Sequence, residues 1–170
     1  VTKSKNLIMK KLILIFCLGL FSFNATAQND LPNVDLTSME GKTLNLKDAI
    51  NKDGITIVSL WATWCVPCLK ELDAINDVYE EWQDETDVEL LAVSVDDSRT
   101  VKRVKSLVNG KDWDYTVLLD TNSELKRALN ASSIPLTILV KDGKIVYEHS
   151  GYSPGAESEL FEKIKELSKD

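Results

Sequence analysis

The sequence predicts an α/β protein in which helices cover a central mixed sheet. Short β-branched apolar runs alternate with stretches whose apolar side chains recur every three or four residues. Near the end of the chain, Asp142-Gly143 separates two further apolar runs, which is the pattern of a β-hairpin. The order of elements, ββ-βαβαβα-ββα, indicates a sheet that combines parallel and antiparallel strands.

Each element follows from its local pattern. Strands are predicted at 34–36 and 43–46, which form a hairpin around Glu40-Gly41, and at 55–61, 88–95, 115–119, 136–140 and 144–148. Helices are predicted from Val66 to Trp82 and at 100–108, 123–129 and 156–167. The run ITIVSLW at 55–61 is apolar without alternation, which predicts a strand buried on both faces.

The N-terminal segment has the pattern of a secretory signal. Lys10-Lys11 precede an apolar run of 12 residues, and Ala25-Thr26-Ala27 supplies the small side chains that signal peptidase requires. The run is shorter than the roughly 20 residues of a membrane-spanning helix. We therefore expect residues 1–27 to be removed before Gln28, and the protein to be soluble in the periplasm or another extracytoplasmic compartment. The bulky Phe16 before Cys17 argues against lipidation.

The remaining residues, 28–170, fit a single domain with an ordinary core. The removed segment has four lysines and no acid, so the mature chain has 16 basic and 27 acidic side chains, a net charge near −11. Nucleic acid and anionic membrane surfaces are poor partners for such a chain. The acidity itself selects no substrate.

The segment LWATWCVPCLKE, residues 60–71, contains the two cysteines that remain. Cys65 and Cys68 enclose too short a loop for a structural disulfide, because that stabilisation grows with loop length. Zinc needs four ligands, yet the only histidine is His149 and there is no second cysteine pair. We therefore predict no metal and no cofactor. The pattern favours a dithiol that closes into a disulfide and reopens.

The predicted elements place Cys65 between a strand and a helix. The helix begins at Val66, and Pro67 is tolerated in its first turn, where a missing N–H costs no hydrogen bond. The unpaired N–H groups and the positive end of the helix dipole stabilise a thiolate at this position. Trp64, in the turn, is predicted to line an apolar contact surface for a partner, whereas Trp61 is predicted to lie in the core.

Several segments together resemble the thioredoxin superfamily, and more closely its exported TlpA/ResA-like branch of thiol-disulfide oxidoreductases. They are LWATWCVPCLKE, LLD at 118–120, SSIPLTILVKDGKIV at 132–146 and the closing helix. The resemblance spans roughly 31–167. It implies a thioredoxin-like fold with an extra βα insertion, in addition to the N-terminal hairpin, and the 70 residues from Cys65 to Pro135 leave room for it.

The resemblance also implies roles for individual residues. Cys65 matches the nucleophile and Cys68 the resolving thiol of a redox-active disulfide. Pro135 matches a proline that packs against the cysteines and follows a cis peptide bond. The backbone of Ile134 would hydrogen-bond an extended segment of the partner. The candidate substrate-binding residues are Trp64, Val66, Pro67, Ile134 and Pro135. Leu136 departs from the threonine common after this proline.

A second departure from the superfamily concerns proton transfer. Thioredoxins keep a buried aspartate six residues before the first cysteine, where this chain has Ser59, which exchanges no proton at neutral pH. Glu71 replaces it in the TlpA/ResA-like manner. Positions 68, 71, 75, 78 and 82 form one helical stripe, so Glu71 lies on the apolar face. We expect its burial to raise its pKa and to make it the general base for Cys68; a solvated helix glutamate is the alternative.

The predicted function is an exported enzyme that exchanges disulfides with protein substrates carrying disulfides or thiols. Val66-Pro67 stand between the cysteines without the histidine found there in strong oxidants, which favours a reductant or electron carrier. An upstream membrane electron donor or redox protein would recharge the site. Sequence fixes neither that donor nor the reduction potential.

Three other functions are compatible with parts of this pattern. A peroxidase of the peroxiredoxin class has threonine three residues before its cysteine, where this chain has Ala62. A copper chaperone of thioredoxin-like type has C-x-x-x-C, which is one residue longer than the spacing here. A non-catalytic adaptor that docks partners at the Trp64 surface remains open on the pattern alone.

Overall fold

The computed structural model describes residues 30–169, in which seven strands form one sheet. The predicted signal peptide, its cleavage site and Cys17 lie outside the described residues. The strands are Asp35–Ser38 (β1), Thr43–Asn45 (β2), Thr56–Trp61 (β3), Glu89–Ser94 (β4), Thr116–Leu119 (β5), Leu136–Lys141 (β6) and Lys144–Ser150 (β7).

Six helices connect and cover these strands within the described range. They are Leu46–Ala49 (α1), Val66–Asn76 (α2), Tyr79–Thr86 (α3), Lys102–Val108 (α4), Glu124–Ala128 (α5) and Ala156–Leu167 (α6). Between residues 30 and 169, no helix is both long enough and apolar enough to cross a membrane.

The sheet is mixed, as predicted, with the order β2-β1-β5-β4-β3-β6-β7. Strands β3, β4 and β5 are parallel, whereas β1, β2, β6 and β7 join by antiparallel pairing. Every residue of β3 is buried, and so is every residue of β4 after Glu89. This burial fits central parallel strands that are covered on both faces.

Both predicted hairpins are present. The turn between β6 and β7 is Asp142-Gly143, and both residues have positive φ, 53° and 71°. Asp and Gly adopt this conformation more readily than other residues, which explains the strength of the sequence signal. The N-terminal hairpin pairs β1 with β2, and β1 continues the sheet by pairing antiparallel with β5.

The structure corrects two details of the predicted elements. Leu46 starts α1 instead of ending β2, because the Asn45 side chain accepts a hydrogen bond from the Lys47 N–H and caps a helix. The helix predicted from Val66 to Trp82 is two helices, broken after Asn76. There the Asn76 amide oxygen accepts a hydrogen bond from the Asp114 N–H at 3.2 Å, and this tertiary contact fixes the end of α2.

Helices α2, α3 and α6 pack together beside the sheet. The Trp82 ring of α3 stacks on the Phe161 ring of α6, with centroids 4.9 Å apart. The Tyr79 hydroxyl accepts a hydrogen bond from the buried Leu90 N–H of β4 at 2.9 Å. These contacts hold α3 against α6 and β4. Helix α2 packs on β3, the strand whose end leads directly into the turn before Cys65.

Candidate active site

The two cysteines form a disulfide at the start of α2, with their Cα atoms 5.3 Å apart. Cys65 is the N-cap residue, and the Cys68 N–H donates to the Cys65 Sγ at 3.4 Å. Cys65 is 5% exposed, whereas Cys68 has no exposed surface. An incoming partner therefore meets Cys65 first, at the end of the helix whose unpaired N–H groups favour a thiolate.

Asp96 holds the turn that carries Cys65. Its buried carboxylate accepts hydrogen bonds from the Thr63 N–H at 2.8 Å, from the Thr63 hydroxyl at 2.7 Å and from the Ser94 hydroxyl at 2.9 Å. Sequence reasoning missed this residue. A signal was present, since Asp96 follows a buried strand parallel to β3, and the carboxyl ends of such strands meet at one edge of the sheet.

The predicted substrate-binding residues surround Cys65. Trp64 and Val66 are the most exposed large apolar side chains of the described range, at 58% and 62%, and Pro67 is also exposed. Pro135 is buried, and the Ile134–Pro135 peptide bond is cis, as the resemblance implied. Trp64, Val66 and Pro67 on one side and Ile134 and Pro135 on the other therefore form an apolar rim around the sulfur. Such a rim suits an uncharged, extended partner segment better than a charged one.

Ile134 lies beside the disulfide, in the segment before β6. Its carbonyl oxygen is 3.8 Å from the Cys65 Sγ. A disulfide sulfur carries no proton, so this is a van der Waals contact. No described residue accepts a hydrogen bond from the Ile134 N–H. The backbone there leaves a donor and an acceptor beside the sulfur, as β-strand addition by a partner requires.

Glu71 lies in the core, which confirms its predicted burial: its side chain is 3% exposed. The Thr137 hydroxyl donates to its Oε1 at 3.0 Å, and the Ser59 hydroxyl donates to its Oε2 at 3.4 Å. Burial raises the pKa of Glu71 to about 7, although the hydrogen bonds from Thr137 and Ser59 act in the opposite direction. Within residues 30–169 no lysine or arginine pairs with this carboxyl.

The two hydroxyl partners reach Glu71 because of strand register. Ser59 of β3 lies directly opposite Thr137 of β6, so both side chains point to the same face of the sheet, where α2 packs. Ser59, which stands where the resemblance to thioredoxins leads one to expect an aspartate, therefore donates a hydrogen bond to the Glu71 carboxyl. Thr137 was not identified from the sequence, although a lone hydroxyl in the apolar run LTILV was a possible signal.

The arrangement combines a reducible disulfide, an apolar rim and a proton acceptor one helical turn behind the inner sulfur. Its chemistry is thiol-disulfide exchange, in which thiolates attack sulfur and protons are taken up or released nearby. Among the residues that the structure describes, no group of three or more His, Cys, Asp or Glu side chains lies close enough to hold a metal ion.

Comparison with known proteins agrees with this chemistry. Residues 27–149 match the family model described as the AhpC/TSA family. The thiol-disulfide oxidoreductase ResA of Bacillus thuringiensis subsp. konkukian is 31% identical over 140 residues, which cover 82% of this chain and 77% of the relative.

Solved structures give the same fold. A thioredoxin-like protein of uncharacterised function from Porphyromonas gingivalis has a TM-score of 0.73 and 49% identity, covering 82% of this chain and 92% of its own. The exposed lipoprotein thioredoxin of Streptococcus pneumoniae has a TM-score of 0.65 and 25% identity, covering 80% and 100%. The thioredoxin-like fold predicted from the sequence is confirmed.

The buried carboxyl makes the stability of the oxidised protein depend on pH. An unfolded glutamate has a pKa near ~4.3, and the folded pKa is higher, at about 7. The stabilisation that the protonated Glu71 carboxyl gives the folded state is therefore complete below the unfolded pKa. It is lost as pH rises through the folded pKa. We expect the free energy of unfolding of Glu71→Gln, relative to wild type, to rise by about 2–4 kcal/mol between pH 4 and pH 8.

Urea denaturation of the oxidised proteins across this pH range measures the difference. Glu81→Gln, at an exposed position of α3, is the matched control and should show no such trend. A difference between Glu71→Gln and wild type that stays constant with pH would contradict the raised pKa of Glu71.

Proposed function

We propose a cellular role for this chain, which belongs to the AhpC/TSA family and, like the ResA proteins that it matches, is a thiol-disulfide oxidoreductase. It is exported, and it exchanges disulfides with protein substrates through Cys65 and Cys68, as a reductant or electron carrier. The observation that carries this proposal is the buried Glu71 carboxyl. Its pKa of about 7 suits proton exchange with Cys68 at neutral pH.

The two cysteines have different roles in the proposed reaction. The Cys65 thiolate attacks a substrate disulfide, forms a mixed disulfide and releases one substrate thiolate. Cys68 gives its proton to the Glu71 carboxylate, and the resulting thiolate attacks the Cys65 sulfur. The second substrate sulfur leaves, the Cys65–Cys68 disulfide forms, and two electrons have passed to the substrate, whose thiolates take protons from water. An upstream membrane donor or redox protein then reduces the disulfide again.

The apolar rim is the proposed docking surface for the substrate. An extended segment would lie between the exposed Trp64, Val66 and Pro67 on one side and Ile134 and Pro135 on the other. Backbone hydrogen bonds to Ile134 would align a substrate cystine with the Cys65 sulfur, whatever the neighbouring side chains are. Such recognition accepts many sequences, as a general oxidoreductase needs.

A non-catalytic adaptor is the second candidate, and the exposure of Trp64 and Val66 favours it. An adaptor needs this surface but not a reducible disulfide with a proton acceptor behind it. Reduction of insulin disulfides separates the two candidates. A null rate with the cysteines present as a reducible pair would support the adaptor.

Export rests on the sequence pattern and on the kind of relative that the chain resembles. Residues 1–27 are the proposed signal peptide and residues 28–170 the thioredoxin-like domain. The pneumococcal relative is an exposed lipoprotein. An extracytoplasmic location also provides protein disulfides as substrates, which are rare in the cytosol.

The assignment of Cys65 and Cys68 predicts different behaviour of their serine variants. Cys68→Ser keeps the nucleophile but cannot resolve the mixed disulfide, so it should accumulate covalent partner complexes that reductant releases. Cys65→Ser should accumulate none. Non-reducing gels and mass spectrometry of proteins from the native compartment measure this, and equal trapping by both variants would contradict the assignment.

Loss of the Glu71 proton acceptor should slow the resolving step. A free thiol with a pKa near ~8.5 is only a few per cent ionised at neutral pH. We expect Glu71→Gln to resolve a mixed disulfide more slowly by about tenfold to a hundredfold. The wild-type rate should rise with pH as the Glu71 carboxylate forms, with apparent pKa values that belong to the Glu71–Cys68 pair.

Stopped-flow kinetics with a peptide disulfide that carries a fluorophore measures this step in a single turnover. Glu81→Gln is again the control and should keep the wild-type rate. An unchanged rate and pH profile in Glu71→Gln would show that the proton leaves Cys68 by another route.

The signal peptide predicts the first residue of the mature protein. Mass spectrometry of the natively exported protein should find Gln28, or its cyclised form, at the N-terminus. A mature chain that keeps Lys10-Lys11, or one that carries lipid on Cys17, would contradict this prediction.

A further inference from the structure

Glu71 needs a route by which its proton reaches solvent. The carboxyl lies behind the disulfide and is 3% exposed, so water does not reach it freely from the front of the site. Behind it, a cavity of about 10 Å³ opens between α2, β7 and α6. This volume is close to the least that holds one ordered water molecule.

His149 of β7 lines the same cavity as Glu71. Its Nε2 is buried and makes no hydrogen bond to any described residue. A buried polar atom without a partner costs free energy, so such an atom in a structure calls for an explanation. A water molecule in the cavity would supply the partner and would lie beside both the imidazole and the carboxyl.

Strand register explains why the two groups lie together. Ser59 pairs with Thr137, and Thr137 pairs with His149, so these side chains form one row across β3, β6 and β7 on the face that α2 covers. Ser59 and Thr137 both donate to Glu71. His149 continues this polar row towards the edge of the sheet.

The other titratable groups around the cavity are acidic or phenolic. Glu157 and Glu159 line it from α6, and Tyr147 lines it from β7. The Tyr152 hydroxyl, in the segment before α6, donates to the Glu157 carboxylate at 2.9 Å. Among the described residues no lysine or arginine lines the cavity. Glu159 is exposed, so the far side of the cavity borders solvent.

We infer that His149, together with one water molecule in this cavity, carries the proton between Glu71 and solvent. The inference rests on the proposed function and deepens it. When Cys68 resolves the mixed disulfide, its proton goes to the Glu71 carboxylate, then through the water to His149, and from the imidazole to bulk water near Glu159. Reduction of the disulfide by the upstream donor reverses this path. His149 acts through Glu71 and touches no reacting sulfur.

Imidazole suits this task because it accepts and donates protons near neutral pH. Burial raises the pKa of Glu71 to about 7, so this carboxyl both takes up and releases a proton near neutral pH. The relay also keeps the proton route separate from the apolar rim, which a docked substrate covers.

The test measures the resolving step in single turnovers of His149→Ala, across pH and with added imidazole. We expect the rate at pH 7 to fall by about threefold to tenfold, less than the loss from removing Glu71 itself. Added imidazole should restore the rate of His149→Ala and leave wild type unchanged. His149→Gln keeps a polar side chain but cannot carry a proton, so its resolving step should be slowed to a similar extent. This variant replaces His149→Ala in the test if the alanine variant fails to fold.

Glu148→Ala, at the neighbouring exposed position of β7, is the matched control and should behave as wild type. The double variant Glu71→Gln/His149→Ala should be no slower than Glu71→Gln and should not respond to imidazole. A wild-type pH profile in both His149 variants would overturn the relay, and so would a slower rate that imidazole does not restore, which indicates a structural role. Failure of the proposed function is distinguishable, because wild type itself would then exchange no disulfide.

Discussion

The organisation of the site depends on one interaction, a carboxyl group kept in the core by two hydroxyls. Glu71 has no cation as a partner among residues 30–169, and Thr137 and Ser59 only partly offset the cost of burying its charge. A lysine or arginine partner would hold the carboxyl ionised and would make it a poor acceptor for a thiol proton. Two hydroxyls leave its pKa near neutrality, where both protonation states are accessible.

This interaction requires three elements to meet in a fixed register. Helix α2 presents Glu71 on the same face as Cys68, because the two residues are one turn apart. Pairing of β3 with β6 brings Ser59 and Thr137 beneath that face. Asp96, two residues beyond the end of the parallel neighbour β4, fixes the turn before Cys65. The dithiol and its proton acceptor are therefore positioned by the sheet and not by the C-x-x-C segment alone.

Local patterns in the sequence predicted much of this architecture. Residues close together in the chain determine the Asp142-Gly143 turn, the buried strands and the position of Glu71 on the apolar face of its helix. The contacts of Thr137 and Asp96 and the position of His149 depend on which strands pair and in what register, and a single sequence does not reveal such long-range pairing. The break after Asn76 has the same origin, because it is fixed by a contact with Asp114, which lies far along the chain.

The two sulfurs face different environments, and this difference bears on how a reaction can proceed. Cys65 reaches the surface beside the exposed apolar side chains of Trp64 and Val66, so in the proposed reaction the docking of the substrate governs the first attack. Once docked, a substrate covers that face and removes water from it. In the proposed reaction, Cys68 then loses its proton on the opposite side, where the buried Glu71 carboxyl is the acceptor. In this proposal, a proton acceptor behind the disulfide and a route from it to the far edge of the sheet would allow the second attack to proceed while the first partner is still bound.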